Sequence, residues 1–402
     1  MHPDHGVTAE PVTVENWQSP ERIGWSFQHM DDIFPTAVIS RGEGPVAALP
    51  AAPVDLTRLD VSLPDGTTMT VSEINAASDT DGWLVMHRGR VVAEEYIGPL
   101  TPTTRHLLMS VSKSLVSTVT GALIDQGLTT AEALVTDYLP ELADSGYAGA
   151  TVRHLLDMRT GIRFSEDYLD SSAEVRLLDI SVGWAPDDGT GTPGTLKEFL
   201  ATLRAERPHG GPFEYRSADT DVLGWVCEEA GGKPFAQLAS ELIWSRLGAE
   251  HDAFISVDAE GTGMFDGGIC ATLRDLARFG ATILTGGVSP TGQQVLSPAW
   301  VEDIFTGGAD AAEAFAAGPD AHGMPGGRYR SKFWFPTAGG DVALCLGIHG
   351  QFVYIDRAND VVAVKLSTWP APVEEWKHHA TMRMFETITA HLAAGTATAD
   401  PA

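Results

Sequence analysis

The sequence predicts an α/β protein of the α+β kind: an antiparallel sheet flanked by helices, built from both ends of the chain, with a helical subdomain inserted between. Three observations predict it. The β-rich runs Trp83–His87 and Arg90–Tyr96 flank Arg88-Gly89 and read as a hairpin. From about 130 to 300 the pattern turns helical and loop-rich. The last quarter returns to strands, Val342–Leu346, Phe352–Ile355 and Val361–Leu366, a meander joined by short polar turns and closed by a helix from about Val373 to Leu392. The expected units are therefore 1–130 with 300–402 for the sheet and 131–299 for the helical insertion.

Taken in order, residues 1 to about 80 are rich in Pro, Ala, Gly and Asp and suggest an irregular wrap with one or two short strands. After the hairpin comes Arg105–Leu115, the start of a helix. Val111, Leu115, Val119 and Leu123 recur at steps of four and mark a buried face, and Gly127 supplies a C-terminal stop. Val152–Met158 reads as a short helix ended by Thr160-Gly161, 185–195 as a loop, and Leu196–Leu203 as a helix. Asp219–Glu229 reads as a helix closed at Gly231-Gly232. Residues 307–328, heavy in Gly, Ala and Asp, read as a surface excursion. His378-His379 on the closing helix and His2 and His5 near the N-terminus are expected to be solvated.

A chain of 402 residues exceeds one ordinary core, which agrees with two subdomains in close contact. The formal net charge of −28 argues against nucleic acid and anionic membrane surfaces as partners. Cys227, Cys270 and Cys345 are too few and too scattered for a disulfide framework and are expected as buried free thiols. The first ten residues have no basic n-region and no apolar h-region, and no run reaches the length of a membrane span. The expected location is cytoplasmic. No metal-ligand pattern, Walker loop or dinucleotide glycine motif appears, so no cofactor is expected. A homodimer is the expected assembly.

The chemistry centres on Ser110 and Lys113. Three residues apart, they share one face of a helix. A serine hydroxyl attacks only when a nearby base takes its proton, and a lysine serves as that base if desolvation lowers its pKa. About one Ser-x-x-Lys is expected by chance in a chain of this size, so the rest of the set decides. Tyr215, just before a helix, is the candidate second proton carrier, provided cations such as Lys113 hold its phenol down. The Gly347-Ile348-His349-Gly350 segment offers a backbone N–H where substrate can approach closely. No Gly-x-Ser-x-Gly elbow competes.

Five ordered blocks carry a resemblance. They are Arg105–Gly127, Ser165–Tyr168, Tyr215–Leu223, Asp266–Gly268 with Arg274–Arg278, and Gly347–Gln351. Together they resemble the 6-aminohexanoate-dimer (nylon oligomer) hydrolases of the serine β-lactamase/penicillin-binding superfamily, close to the family VIII carboxylesterases. The resemblance implies a β-lactamase/transpeptidase-like fold with the active site between its two parts. It implies Ser110 as nucleophile, Lys113 as its base, Tyr215 as proton carrier to the leaving group, and an oxyanion hole from the Ser110 and Ile348 backbone N–H groups. Tyr168, Asp179, Asp266, Trp334 and His349 fall at substrate-binding positions, Asp179 where an acid faces the substrate's free ammonium. The superfamily's Tyr-x-Asn is Tyr215-Arg216-Ser217 here, and its Lys-Thr-Gly is Ile348-His349-Gly350. Without that lysine no cation stands ready for a β-lactam carboxylate. Asp266 replaces a neutral residue of close relatives.

The implied activity is amide hydrolysis of 6-aminohexanoate linear dimer or similar short amides, with esterase activity on short-chain esters. The alternatives are a β-lactamase or D,D-peptidase, which the missing Lys-Thr-Gly disfavours, and a non-catalytic binding protein, which intact Ser110, Lys113 and Tyr215 disfavour.

Overall fold

A computed structural model describes residues 11–397 apart from 188 and 190. His2, His5 and the targeting reading of the first ten residues lie outside the described residues, as do two positions of the 185–195 loop. The expected α+β architecture is present. A seven-stranded antiparallel sheet runs, edge to edge, through Arg90–Tyr96, Thr80–His87, Val361–Ser367, Gln351–Asp356, Val342–Gly347, Phe333–Phe335 and Arg328–Arg330. Strands from both ends of the chain meet where Val362 pairs with Met86 and Val364 with Leu84. The first hairpin turns through Arg88 (φ 52°) and Gly89 (φ 72°), two left-handed residues whose twist matches the strands they join.

Thr80–His87 is buried on both faces because side chains alternate. Leu84 and Met86 join the core beneath, while Trp83 and Val85 join a second core under the closing helix Glu375–Ala397, with Met384, Phe385 and Ile388. A helix at Val71–Ala77, unforeseen in the N-terminal wrap, packs against that closing helix; Thr70 and Glu73 form its capping box. Helix Leu273–Leu284 covers the other face of the sheet.

A second, four-stranded antiparallel sheet orders Thr36–Ile39, Ala253–Ser256, Ile269–Ala271 and His106–Leu107. It delivers the chain into the helix Val111–Asp125, which packs on Ser217–Gly231. Sequence periodicity assigned this helix one buried face, yet every residue from Val111 to Leu123 is buried. Its hydroxyls therefore need internal partners. Ser114 Oγ donates to the Lys332 carbonyl at 2.8 Å and Ser117 Oγ to the Ser331 carbonyl at 2.6 Å. Gly121 is required because a Cβ there would stand 2.4 Å from the Trp300 indole. Gly127 (φ 70°) ends the helix as expected.

Two expectations need correction. Residues 307–328 contain the helix Ala311–Ala316, and Phe315 is buried against Phe213 and Trp334, so the segment walls the site. His378 is half-buried against Phe352, with ring centroids 5.4 Å apart. The three cysteines are buried and free. Among the described residues no helix is long and apolar enough to cross a membrane.

Candidate active site

Strand His106–Leu107 leads through Leu108 to Met109, which takes a left-handed conformation (φ 46°), and Ser110 then stands at the N-cap of the buried helix. A non-glycine residue in that region is strained and persists where its surroundings hold it. Lys113, one turn on, is 1% exposed. Its Nζ donates to Ser110 Oγ at 2.9 Å, to the Asp266 carbonyl at 2.8 Å and to Asp266 Oδ2 at 3.3 Å. Three acceptors around one nitrogen suit an ammonium. Burial alone would drive Lys113 toward the neutral amine, but Tyr215, Asp266, Glu166 and Asp221 outweigh it and hold the group above the ordinary lysine value. The expectation that desolvation lowers this pKa is thus reversed by acidic neighbours brought in from other segments.

Tyr215 stacks on Trp334 with centroids 5.3 Å apart, and Lys113 Nζ lies 5.1 Å from its ring centre. Ser110 and Lys113 lie near its hydroxyl and favour the phenolate form. Burial pushes the phenol up to about 12 against the pull of Lys113, so the expectation of a lowered tyrosine pKa is also overturned. Asp320, from the segment read as a surface excursion, accepts the Tyr215 backbone N–H at 3.0 Å. Asp266 donates its own N–H to Asp221 at 3.0 Å, and its Oδ1 is buried without a partner. Asp221 is itself raised well above the carboxylate range by burial and by Asp266.

Ile348 opens the hairpin turn after Val342–Gly347. His349 (φ 59°) and Gly350 (φ 89°) complete it. The turn is pinned from several sides. His349 donates its backbone N–H to Pro372 O at 2.9 Å and its Nδ1–H to Trp369 O at 2.7 Å. A Cβ on Gly350 would lie 2.4 Å from the Trp369 indole, and one on Gly347 would lie 2.6 Å from the Leu108 carbonyl. Burial holds His349 down at about 4, hence neutral. The Ser110 and Ile348 N–H groups find no acceptor among the described residues.

Two cavities meet at this point. A cleft of about 440 Å³ is walled by Tyr215, Trp334, Leu346, Phe352, Trp369 and Val373. A smaller polar pocket of about 160 Å³ is lined by Arg176, Asp179, Trp184, Asp266 and His349. Ser110, Tyr168, Ile348 and Pro372 border both. The structure therefore brings together all nine sequence candidates, Lys113 through its bond to Ser110. Two have partners the sequence did not announce. Tyr168 donates its hydroxyl to Glu166 at 2.8 Å, and Glu166 also accepts from Ser217 N at 2.9 Å and Ser217 Oγ at 2.5 Å. Asp179 pairs with Arg176 at 2.5 Å, yet burial, opposed by Arg176 and aided by Asp266 and Glu166, lifts it to about 7.

Glu166, Asp221, Asp320 and Arg176 are the neighbours that sequence reasoning missed. Glu166 and Asp221 stood inside quoted blocks, but among other polar residues, Ser165 and Asp167 for the one and Asp219 and Thr220 for the other, which gave no signal to single them out. Asp320 had none. Among the described residues no cluster of three or more His, Cys, Asp or Glu side chains is placed to hold a metal ion.

The Beta-lactamase family profile matches residues 71–384. The chain is 40% identical over 368 residues to 6-aminohexanoate-dimer hydrolase of Paenarthrobacter ureafaciens, covering 91% of each protein. A solved structure from Bacillus anthracis, provisionally named a 6-aminohexanoate-dimer hydrolase, superposes with a TM-score of 0.87 at 26% identity, over 96% of this chain and 98% of that one. A family VIII carboxylesterase shares the fold, with a TM-score of 0.59 at 17% identity over 79% of this chain and 96% of its own.

Proposed function

The chain belongs to the Beta-lactamase family and is a hydrolase of that fold; from this premise we propose that it cleaves 6-aminohexanoate linear dimer or similar short amides, and short-chain esters, through an acyl-enzyme on Ser110. The observation that carries the reading is the 2.9 Å contact between Lys113 Nζ and Ser110 Oγ at the junction of two cavities that Ser110 and Ile348 both line.

In this reading the substrate carbonyl oxygen lies between the Ser110 and Ile348 N–H groups, donors aimed where negative charge develops. Ser110 Oγ attacks the carbonyl carbon as its proton passes to Lys113 in the neutral amine form. That form arises by loss of one proton to solvent. Tyr215 donates its phenolic proton to the departing nitrogen or oxygen and is reprotonated through Lys113. Water then attacks the acyl-enzyme by the reverse sequence. The substrate ammonium sits beside Asp179 and Asp266, where it also weakens the negative field that keeps Lys113 protonated. Binding of a cationic acyl group and release of the base are thereby coupled.

In this reading the chain divides into a sheet unit, 1–130 with 300–402, and a mainly helical inserted unit, 131–299, with the cleft between them; strands Ala253–Ser256 and Ile269–Ala271 and helix Leu273–Leu284 of the inserted stretch pack back onto the sheets. Three buried free thiols support a reducing, cytoplasmic setting. The test is a fluorophosphonate probe followed by intact-mass and peptide mapping: one adduct on Ser110 is expected, and none in a folded Ser110→Ala variant. An adduct on another serine removes the assignment.

A further inference from the structure

The two cavities beside Ser110 divide by chemistry, and Tyr215 orients them. Of these two, Tyr215, the proton donor to the departing group, lines the 440 Å³ cleft and not the smaller pocket, whereas Asp179 and Asp266 line the smaller pocket and not the cleft. The larger cleft is therefore the leaving-group side. Its walls are apolar and aromatic, and its rim carries Leu169 and Val373, 87% and 66% exposed. The acids on its border are Glu166, Asp167 and Asp320, and no Lys or Arg lines it. His378 lines it too, but burial and neighbouring His379 hold its imidazole down at about 4, so it brings no charge at neutral pH. Lys377, next along the helix, is engaged by Asp79 at 2.7 Å and Glu374 at 2.8 Å.

A leaving group that ends in a carboxylate would lose water in this cleft and meet acids instead of a cation, which is unfavourable for any ionised group. An alkyl or aryl group meets Trp334, Phe352 and Trp369 and gains from leaving water. We propose that the leaving-group cleft selects uncharged, apolar amines and alcohols and discriminates against leaving groups that carry a free carboxylate. The favoured substrate joins a short ω-aminoacyl group, held by the polar pocket, to an apolar alkyl or aryl amine or alcohol. This rests on the acyl-enzyme reading above and narrows its substrate class: the linear dimer, whose leaving group carries a carboxylate, is a poor member. The bond changes are those of that reading. The acyl carbon exchanges its C–N or C–O bond for one to Ser110 Oγ, and the amine or alcohol departs with the Tyr215 proton.

Two matched pairs test it on the purified full chain. The amide pair is N-hexyl-6-aminohexanamide against the linear 6-aminohexanoate dimer. The ester pair is hexyl acetate against 6-acetoxyhexanoate. The uncharged member of each pair is expected to show kcat/KM higher by about tenfold or more, mainly through KM, because only the other member desolvates an unpaired charge. Equal values, or preference for the carboxylate, overturn the proposal. If esters are cleaved and amides are not, the amide reading fails while the ester pair still reports on the cleft. If neither class is cleaved, the hydrolase reading fails and this inference falls with it. Val373→Lys, placing a cation on the exposed rim, is expected to narrow both ratios by improving the carboxylate members. Unchanged ratios in that folded variant would show that missing charge is not the cause.

Discussion

Asp266→Asn reads the electrostatics of the site directly. Asp266 Oδ2 lies 3.3 Å from Lys113 Nζ, and both groups are buried. At an effective dielectric of about 20, unit charges at that separation attract by about 5 kcal/mol. At about 1.4 kcal/mol per pH unit, losing this attraction moves the titration of Lys113 down by at most about 3.5 pH units. The Asp266 carbonyl bond and the fields of Asp221 and Glu166 survive the substitution, so a fall of about one to two pH units is expected. The direction follows from the base being the neutral amine. With its pKa held above the ordinary lysine value, Lys113 becomes neutral only as pH rises through that pKa. Activity of the native chain on p-nitrophenyl acetate should therefore climb with pH into the alkaline range. In Asp266→Asn the climb should begin at lower pH. The neutral-pH rate should rise by up to about tenfold for each pH unit the climb moves, less whatever a weaker base forfeits. The assay is kcat/KM against pH for both proteins, with thermal melts to establish that the variant is folded. An ascending limb that stays where it was would refute the claim that Asp266 keeps Lys113 charged. So would a uniform loss at every pH.

Other variants probe separate parts of the site. Tyr215→Phe should cost amide turnover about 10²–10⁴-fold, the usual worth of a general acid, and ester turnover less, because an amine must be protonated as it leaves; equal losses would mean Tyr215 only positions the site. Asp179→Asn should raise KM for amides with a free ammonium and leave acetate esters nearly unchanged. Because Asp179 is lifted to about 7, it becomes a carboxylate as pH rises through that value, so the native KM for such amides should improve through neutrality and the variant's should not. A pH-independent native KM would remove Asp179 from ammonium binding. Gly350→Ala forces a Cβ to within 2.4 Å of the Trp369 indole at φ 89°. It should lower the melting temperature and, by displacing Ile348, reduce kcat more than it raises KM. A variant with native kcat would separate the turn from the oxyanion site.

What the sequence disclosed was mainly local. Ser110 and Lys113 are three residues apart, so their meeting follows from helix geometry alone. The hairpin and meander follow from alternation and turn residues, and the strands from the two chain ends then had a partner face to share. What it withheld was set by long-range contacts. The helix of Ser110 is buried all round because the Ser331 and Lys332 carbonyls come from more than 200 residues away to satisfy Ser117 and Ser114. Asp320 sits in a stretch whose composition reads as solvent-facing, and the packing of Phe315 onto Phe213 and Trp334, with the Phe213 N–H bonded to the Ala314 carbonyl, draws it to Tyr215. The direction in which Lys113 is displaced was hidden for the same reason: desolvation is visible in an apolar helix, while Asp266, Asp221 and Glu166 arrive from three other segments.

The acidity of the whole chain says little about its reaction, but its distribution around Ser110 says more. Lys113 and Arg176 face Asp179, Asp221, Asp266 and Glu166, and burial raises Asp179, Asp221 and Glu166 toward the neutral acid. A site with more carboxylates than cations can hold its charge down by retaining protons or by taking in a cation. Asp266 Oδ1, buried without a partner beside that pocket, is an acceptor with nothing donating to it. An ammonium on the acyl side supplies the missing charge, whereas a carboxylate in the apolar cleft across Ser110 adds to the excess. The same imbalance therefore favours a cationic acyl group on one side and an uncharged leaving group on the other.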